Sequence, residues 1–158
     1  MSISIEPANL DSLNELWRIE RECFTKEAYT KQQIASLLKG QGAVGLVARV
    51  NGEIVGFVIG VVEDFGSRLV SHIYTIDVAV KHRRKGVGMR LLNDIEAVFA
   101  KRSVNAVYLE VRESNEAAQR LYEAQGYREV GAMENYYSKG IHGLRMMKYL
   151  KSRQNVSP

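Results

Sequence analysis

The segment Arg83-Arg84-Lys85-Gly86-Val87-Gly88 combines basic side chains with two glycines. It lies between a predicted strand and a predicted helix, so its backbone N–H groups are those at the positive end of the helix dipole. Gly86 and Gly88 have no side chains that would hold a phosphate away from these donors. The segment therefore predicts a backbone cradle for a pyrophosphate, and Lys81 and Arg90 add positive charge beside it.

Two common nucleotide-binding motifs do not fit this segment. A P-loop requires Gly-Lys-Ser or Gly-Lys-Thr, which the sequence lacks. A dinucleotide fingerprint requires a third glycine at position 91, which is Leu91, and it opens a parallel unit, whereas this segment follows an antiparallel series of strands. A basic surface loop with a helix cap stays open as the simpler interpretation.

Three ionisable side chains elsewhere in the chain could move protons. Glu110 lies between apolar residues in a short predicted strand, where a carboxylate is unusual unless it lines a cleft or pairs at the rim with Arg112. Tyr122 lies on the inner side of a capped helix, and the alternative is a core tyrosine with a satisfied hydroxyl. His72 lies in a long strand; its pKa of about 6.5 in water suits a base, and a structural histidine is the alternative.

Hydrophobic periodicity gives the elements that must position these residues. A strand at 3–5 precedes a helix capped by Asn9 or Asp11 and a second helix that begins with the Thr30/Gln33 capping box. Strands are predicted over 44–50, 53–62 and 69–80, with a hairpin turn at Asn51-Gly52. A helix from 87, a strand over 106–111 and a helix closed by Gly126 follow. The last strands are predicted over 127–130 and 144–150, with 133–143 as a loop between them.

These elements predict an α/β (α+β) fold with a mixed, largely antiparallel central sheet of about seven strands, flanked by about four helices. In a regular strand over 69–80, His72 would share one face with Tyr74, Ile76 and Val78.

Length and composition exclude several classes of protein. The 158 residues suffice for one domain, predicted over 1–150 with a polar tail over 151–158. A net charge of +4 does not require a nucleic acid, and Cys23 alone cannot form an intramolecular disulfide. The histidines lack metal-site spacing, and no apolar run approaches the roughly 20 residues that span a bilayer. We therefore expect a cytoplasmic protein, a monomer or homodimer, without a metal, a membrane or a specific nucleic-acid partner.

Two motifs carry a specific resemblance. The pattern Arg-x-x-Gly-x-Gly after a long strand resembles the acetyl-CoA pyrophosphate motif of the GNAT superfamily of N-acetyltransferases. The run from Leu109 to Tyr122, followed by Gly126-Tyr127 and Asn135-Tyr136-Tyr137, is most similar to the ribosomal-protein alanine N-terminal acetyltransferases and to the related archaeal and eukaryotic N-terminal acetyltransferases. The resemblance covers roughly residues 73–150 and implies the GNAT-like acyl-CoA N-acyltransferase fold.

The resemblance implies transfer of the acetyl group of acetyl-CoA to a primary amine, in particular a protein N-terminus, by direct attack in a ternary complex. It implies that the backbone of Ile76, Asp77 and Val78 meets the acetyl and pantetheine groups, and that Asn115 helps to hold the cofactor. The implied pyrophosphate site comprises Arg83, Arg84, Lys85, Gly86, Val87, Gly88 and Met89. Asp77 departs from the small residue that the alanine acetyltransferases often carry, so its side chain either competes with the cofactor or tunes the substrate from the other face.

The resemblance also implies roles for the ionisable side chains. Glu110 matches the general base of the alanine acetyltransferases, and Tyr122 matches the general acid beside the CoA sulfur. His72 matches a histidine of some archaeal and eukaryotic enzymes and is the rival base. Tyr136 and Tyr137 match a Tyr-Tyr segment that holds the peptide backbone of the acceptor.

The acceptor amine is not fixed by these motifs. At pH 7, deprotonation costs about 1.4 kcal/mol for an α-amine of pKa about 8 and about 4.6 kcal/mol for a lysine side chain, so an N-terminus needs only a modest base. Lysine, a polyamine or another small amine stays the enzymatic alternative. A basic nucleic-acid-binding module and a catalytically silent acetyl-CoA sensor are the alternatives outside catalysis.

Overall fold

The computed structural model describes residues 2–150. These residues form seven strands, four α-helices and two 3-10 turns, at Leu10–Ser12 and Val80–His82. The strands are β1 (Ser4–Pro7), β2 (Ala43–Val50), β3 (Glu53–Asp64), β4 (Leu69–Val78), β5 (Ala106–Arg112), β6 (Arg128–Ser138) and β7 (Ile141–Tyr149). The helices are α1 (Leu13–Cys23), α2 (Lys31–Lys39), α3 (Val87–Lys101) and α4 (Glu116–Ala124). The predicted fold class is confirmed; the polar tail over 151–158 lies outside the described residues, and the single-domain assignment stays a prediction.

The seven strands form one sheet in the order β1-β2-β3-β4-β5-β7-β6. All neighbouring pairs are antiparallel except β4 and β5, so the sheet is mixed and largely antiparallel, as predicted. The β2–β3 turn lies at Asn51-Gly52, with φ of 52° and 80°. These positive φ values are the ones that a tight turn between twisted strands requires.

Helices cover both faces of the sheet. On one face, Leu91, Ile95 and Phe99 of α3 are wholly buried, in a core cluster that also contains Tyr122 of α4. On the other face, a second cluster contains Leu16 and Ile19 of α1 and Ile34 of α2. Because the sheet is covered on both sides, the long side chains near its centre are buried whichever way they point.

A β-bulge in β4 decides which residues face which side. Ile59 pairs with Thr75 but the next residue, Gly60, pairs with Ile73, so Tyr74 is an extra residue in β4. Ile73 therefore packs in the same core cluster as Ile76 and Val78. The expectation that His72 shares a face with Ile76 and Val78 is wrong, because the extra residue reverses the alternation.

The last two strands are longer than predicted. The predicted loop over 133–143 is wrong, because β6 continues to Ser138 and β7 begins at Ile141. The pairing of β6 with β7 shifts between Glu129 and Gly131 and again between Met133 and Ser138, which interrupts the two-residue alternation that marks a strand in sequence. Asn135 closes the irregular end of the hairpin: its backbone N–H donates to His142 Nδ1 at 2.9 Å.

Candidate active site

The site lies where the two central parallel strands separate. Pairing between β4 and β5 runs from Val70 and Ala106 to Ile73 and Leu109, and both strands then continue without pairing to each other. Two cavities, of about 360 and 470 Å³, open beside this split. Both are lined by Ile76 of β4, Asn115 and Ala118 at the start of α4, Tyr122 and Phe24, so they meet at these residues.

The larger cavity, here called the glycine cavity, is built on the basic segment. Its lining includes most of the predicted pyrophosphate site, namely Arg83, Arg84, Gly86, Val87, Gly88 and Met89, together with Val78. Lys85 is exposed and outside this lining. The predicted cofactor-binding segment is thus at the wall of a cavity, apart from this one side chain.

The backbone of the basic segment is arranged to hold an anion. Arg84 and Gly86 have φ of 62° and 85°, and Gly86 caps the N-terminus of α3. For the N–H groups of residues 84–89, no backbone acceptor is present within residues 2–150. A Cβ on Gly88 would lie 3.5 Å from Leu121 and 3.6 Å from Val78, and would take up part of the cavity between them. Free N–H donors at the end of a helix, beside a residue without a side chain, fit the pyrophosphate of acetyl-CoA.

Several of the basic side chains already form hydrogen bonds or ion pairs with other groups of the protein. Arg83 donates through Nε to the carbonyl of Val78 at 3.0 Å and through Nη2 to Cys23 Sγ at 3.3 Å. Burial, with the charge of Asp77, raises the pKa of Cys23 to about 11, so this thiol is neutral at pH 7. The cluster is therefore only partly free to bind an external anion through its side chains.

The smaller cavity, here called the tyrosine cavity, is lined by five tyrosines and three glutamates. These residues are Tyr29, Tyr74, Tyr122, Tyr136, Tyr137, Glu20, Glu27 and Glu110. Tyr136 and Tyr137 meet edge to face, with ring centroids 5.0 Å apart, and both line the cavity. The split strand, α4, the β6–β7 hairpin and the segment after α1 all contribute to its wall.

Glu110 is the most heavily bonded side chain of the tyrosine cavity. Its Oε1 accepts hydrogen bonds from His72 Nε2 at 2.6 Å and from the Tyr136 hydroxyl at 3.1 Å. Its Oε2 accepts from Arg145 Nε at 2.9 Å. Glu110 therefore pairs with Arg145 rather than with Arg112, which pairs with Glu27 at 2.5 Å.

The partners of Glu110 set its charge. Burial alone would favour the neutral carboxyl, but the hydrogen bonds and charges of His72 and Arg145 more than offset it and lower the pKa of Glu110. The carboxylate is therefore ionised at neutral pH and fixed in orientation by three donors. A carboxylate with a lowered pKa is a weak base. It can assist an amine that is easy to deprotonate more readily than it can assist a strongly basic amine.

His72 contacts Glu110 but lines neither cavity. Its ring stacks on Tyr108, with centroids 4.3 Å apart and an interplanar angle of 8°, and contacts Tyr74 at 4.1 Å. Only 11% of its side chain is exposed. Glu110 consequently lies between His72 and the tyrosine cavity.

Tyr122 lies at the junction of the two cavities. It is 6% exposed and lines both of them. Burial, with the charge of Asp77, raises its pKa, and no hydrogen bond contributes to that shift. The Tyr122 side chain therefore reaches both cavities with its hydroxyl protonated.

The side chain of Asp77 points away from the glycine cavity. Its carboxyl lies 2.6 Å from the Thr75 hydroxyl and is 1% exposed, against α1. Of the two possibilities raised by the sequence, the structure gives the one in which Asp77 lies on the face opposite to Ile76 and Val78. Only its backbone is available to the glycine cavity.

Sequence reasoning missed several residues of the site. Glu27, Tyr29 and Thr75 line the tyrosine cavity, and Arg145 holds Glu110. Glu20 of α1 also lines the tyrosine cavity and is 1% exposed. Its position on the apolar stripe of α1 was the one available signal, because a carboxylate there is either at the rim or buried with partners.

Two properties of the described residues bear on the partners. None of the helices within 2–150 is long and apolar enough to cross a membrane. In the same part of the chain, no three His, Cys, Asp or Glu side chains are grouped as a metal ion would require.

Residues 11–127 match the acetyltransferase (GNAT) family. An N-alpha-acetyltransferase of Sulfurisphaera tokodaii is 32% identical over 145 residues, which cover 86% of this chain and 86% of that protein.

Two solved structures share the fold. Ard1 from Thermoplasma volcanium superposes with a TM-score of 0.86 at 25% identity, over 96% of this chain and all of that one. The ribosomal-protein-S18-alanine N-acetyltransferase from Escherichia coli superposes with a TM-score of 0.84 at 24% identity, over 99% of this chain and all of that one. These similarities support the overall fold.

Proposed function

This chain belongs to the acetyltransferase (GNAT) family and is an acetyl-CoA-dependent enzyme, and we propose that it acetylates the α-amino group of protein N-termini by direct attack in a ternary complex. The observation that carries this proposal is the meeting of two cavities at Tyr122. A donor in one cavity and an acceptor in the other would approach the same point from opposite sides. No covalent enzyme intermediate is needed in such an arrangement.

The glycine cavity is proposed as the site of acetyl-CoA. The backbone N–H groups of residues 84–89 would hold the pyrophosphate, and Asn115 and the backbone of residues 76–78 would hold the pantetheine arm. Bound there, acetyl-CoA supplies the acetyl group as a thioester. Gly88 supports this placement because it has no side chain of its own, which leaves open the space between Gly88 and the side chains of Val78 and Leu121.

The tyrosine cavity is proposed as the acceptor site, with Glu110 as the base. The carboxylate takes a proton from the ammonium group, directly or through one water, so that the neutral amine can attack. His72 and Arg145 keep Glu110 ionised and oriented, which is a positioning role. Tyr136 contributes its hydroxyl to the same carboxylate and, with Tyr137, lies where a peptide backbone would pass.

Tyr122 is proposed as the general acid. Its raised pKa keeps the hydroxyl protonated, so the group can donate to the departing thiolate of CoA. Its place in both cavity walls gives the hydroxyl access to the junction at which the thioester would break.

The state of the carboxylates favours an α-amine over a lysine or a polyamine. Glu110 has a lowered pKa, and a lysine side chain costs about 3 kcal/mol more to deprotonate than an N-terminus. Glu27 and Glu110 are each paired with an arginine, so they do not form an open acidic surface for a polycation. The name of the Sulfurisphaera tokodaii relative supports the same choice.

A panel of acceptors tests this proposal. Acetyl-CoA turnover should be measured with peptides that vary in their first two residues, alongside spermidine and a lysine peptide with a blocked N-terminus. We expect kcat/KM to be highest for a free N-terminus and near background for the blocked peptide. Preferred acetylation of spermidine or of the lysine side chain would refute the assignment of the acceptor.

A further inference from the structure

Two buried carboxyl groups meet at the contact between α1 and β4. Glu20 and Asp77 are each 1% exposed, and Thr75 between them is 5% exposed. The Thr75 hydroxyl lies 2.9 Å from Glu20 Oε1 and 2.6 Å from Asp77 Oδ1. The other oxygen of Asp77, Oδ2, has no hydrogen-bond partner among the described residues. The proposed reaction uses neither carboxyl group.

A count of hydrogens constrains the charge of this group. The Thr75 hydroxyl has one hydrogen and can donate it to only one of the two carboxyl oxygens that it contacts. If both carboxyls were ionised, the other contact would bring two oxygens together without a hydrogen, and two negative charges would be buried side by side. One additional proton removes both penalties, because a protonated carboxyl donates to Thr75 while the hydroxyl donates to the other carboxylate.

We propose that Glu20 and Asp77 share one proton through Thr75, and that this joint positions the acceptor wall of the active site. The connection to that wall is direct. Glu20 Oε2 accepts a hydrogen bond from the backbone N–H of Tyr29 at 3.0 Å. Phe24, Glu27 and Tyr29 of the segment between α1 and α2 line the tyrosine cavity.

The same joint contacts the strand of the cofactor site. Thr75 lines the tyrosine cavity, and Asp77 lies between Ile76 and Val78, which line the glycine cavity. Glu20 is therefore a positioning residue for the acceptor wall, and Asp77 is one for the strand that both cavities share. Their positioning role rests on the proposed function of these cavities, whereas the shared proton does not.

The remaining groups that face Asp77 do not supply a balancing charge of their own. Cys23 of α1 is a neutral thiol, and Tyr122 of α4 is a neutral hydroxyl. Arg83 attracts the Asp77 carboxylate, but its guanidinium is bonded to the Val78 carbonyl and to Cys23. Burial, followed by the proximity and charge of Glu20, raises the pKa of Asp77 well above its usual value despite Thr75 and Arg83.

The shared proton predicts a specific dependence of stability on pH. A carboxyl whose pKa is raised in the folded state stabilises the fold fully at pH values below its unfolded pKa of about 4, and this stabilisation is lost as pH rises through the folded pKa. Asp77→Asn and Glu20→Gln each remove one carboxyl and supply amide hydrogens instead. Neither variant should have this loss.

Thermal unfolding of wild type and both variants between pH 4 and pH 9 is the first test. As pH rises, we expect the Tm of each variant to increase relative to that of wild type, by up to about 5 °C per pH unit over the titrating range. Asp94→Asn, which changes an exposed carboxylate of α3, is the matched control and should follow wild type. Curves that stay parallel for wild type and whichever of the two variants folds would overturn the shared proton.

Hydrogen exchange of the Tyr29 amide is the second test. In Glu20→Ala the amide loses its acceptor, so we expect exchange at least about tenfold faster and a higher KM for peptide, with CoA affinity unchanged. Glu20→Gln keeps an acceptor oxygen and should restore protection. Unchanged exchange in Glu20→Ala would refute the positioning role, and this readout stays valid if the acceptor proves not to be an N-terminus.

Discussion

Replacement of Glu110 by Gln tests the proposed proton path most directly. The variant removes the basic oxygen but keeps the size of the side chain and one acceptor. General-base catalysis contributes about 100- to 10,000-fold, so kcat/KM for a peptide should fall by that factor, or by about 3–5 kcal/mol of transition-state stabilisation. Affinity for acetyl-CoA should not change, because Glu110 is absent from the lining of the glycine cavity.

The surroundings of Glu110 indicate that the variant will fold. Arg145, whose side chain is 38% exposed, can turn to solvent when its carboxylate partner is lost. His72 can change tautomer and accept a hydrogen bond from the new amide. We therefore expect a change in Tm of a few degrees at most, since about 1 kcal/mol corresponds to about 2–4 °C in a chain of this size.

The loss should be partly reversed by alkali. An α-amine of pKa about 8 is roughly tenfold more abundant in its neutral form at pH 9 than at pH 7, so Glu110→Gln should recover up to about tenfold over this range. Initial rates of CoA release against peptide concentration give the measurement, with the exposed Glu123→Gln as control. If Glu110→Gln keeps most of its rate while His72→Ala is nearly inactive, the base is His72 and our reasoning is wrong.

Substitutions at three further positions separate the other roles. Gly88→Val should weaken CoA binding by about tenfold or more in calorimetry, with an unchanged circular dichroism spectrum, because its side chain enters the proposed cradle; unaltered affinity would move the cofactor elsewhere. Tyr122→Phe should lower kcat by about 100-fold without the alkaline recovery expected for Glu110→Gln; recovery at high pH would argue against an acid role. Arg145→Met removes a cation that lowers the pKa of Glu110, so the acid limb of kcat/KM should move to higher pH, and Arg145→Lys should largely restore it. An acid limb that does not move would exclude Glu110 as the titrating base.

The order of elements could be predicted from the sequence because its signals are local. The Asn51-Gly52 turn and the Thr30/Gln33 capping box each depend on a few adjacent residues, and both are present in the structure. The basic segment with Gly86 and Gly88 belongs to the same class, since a helix N-terminus after a strand is determined locally. These signals were sufficient for the fold and for the wall of the glycine cavity.

The acceptor side could not be predicted in the same way. Arg145 reaches Glu110 because β5 and β7 are paired in a register that sets these two residues opposite each other. That register depends on a hairpin whose shifts in pairing conceal the strand pattern of β6. Glu27 and Tyr29 join the site only through the packing of α1 against the sheet, which leaves no mark on neighbouring residues in the sequence.

The bulge at Tyr74 lies in β4, the strand that lines both cavities, and it decides which β4 side chains point to each side of the sheet. In a regular strand without a bulge, Thr75 would point to the same side as Ile73, and Ile76 would point to the other. The bulge instead places Ile76 on the same side as Ile73, where it lines both cavities, while Thr75 turns to Glu20. The split between β4 and β5 begins at the same level, after Ile73. A single irregularity in β4 therefore accompanies both the opening between the strands and the change in which side chains face the α3 core and which face Glu20 of α1.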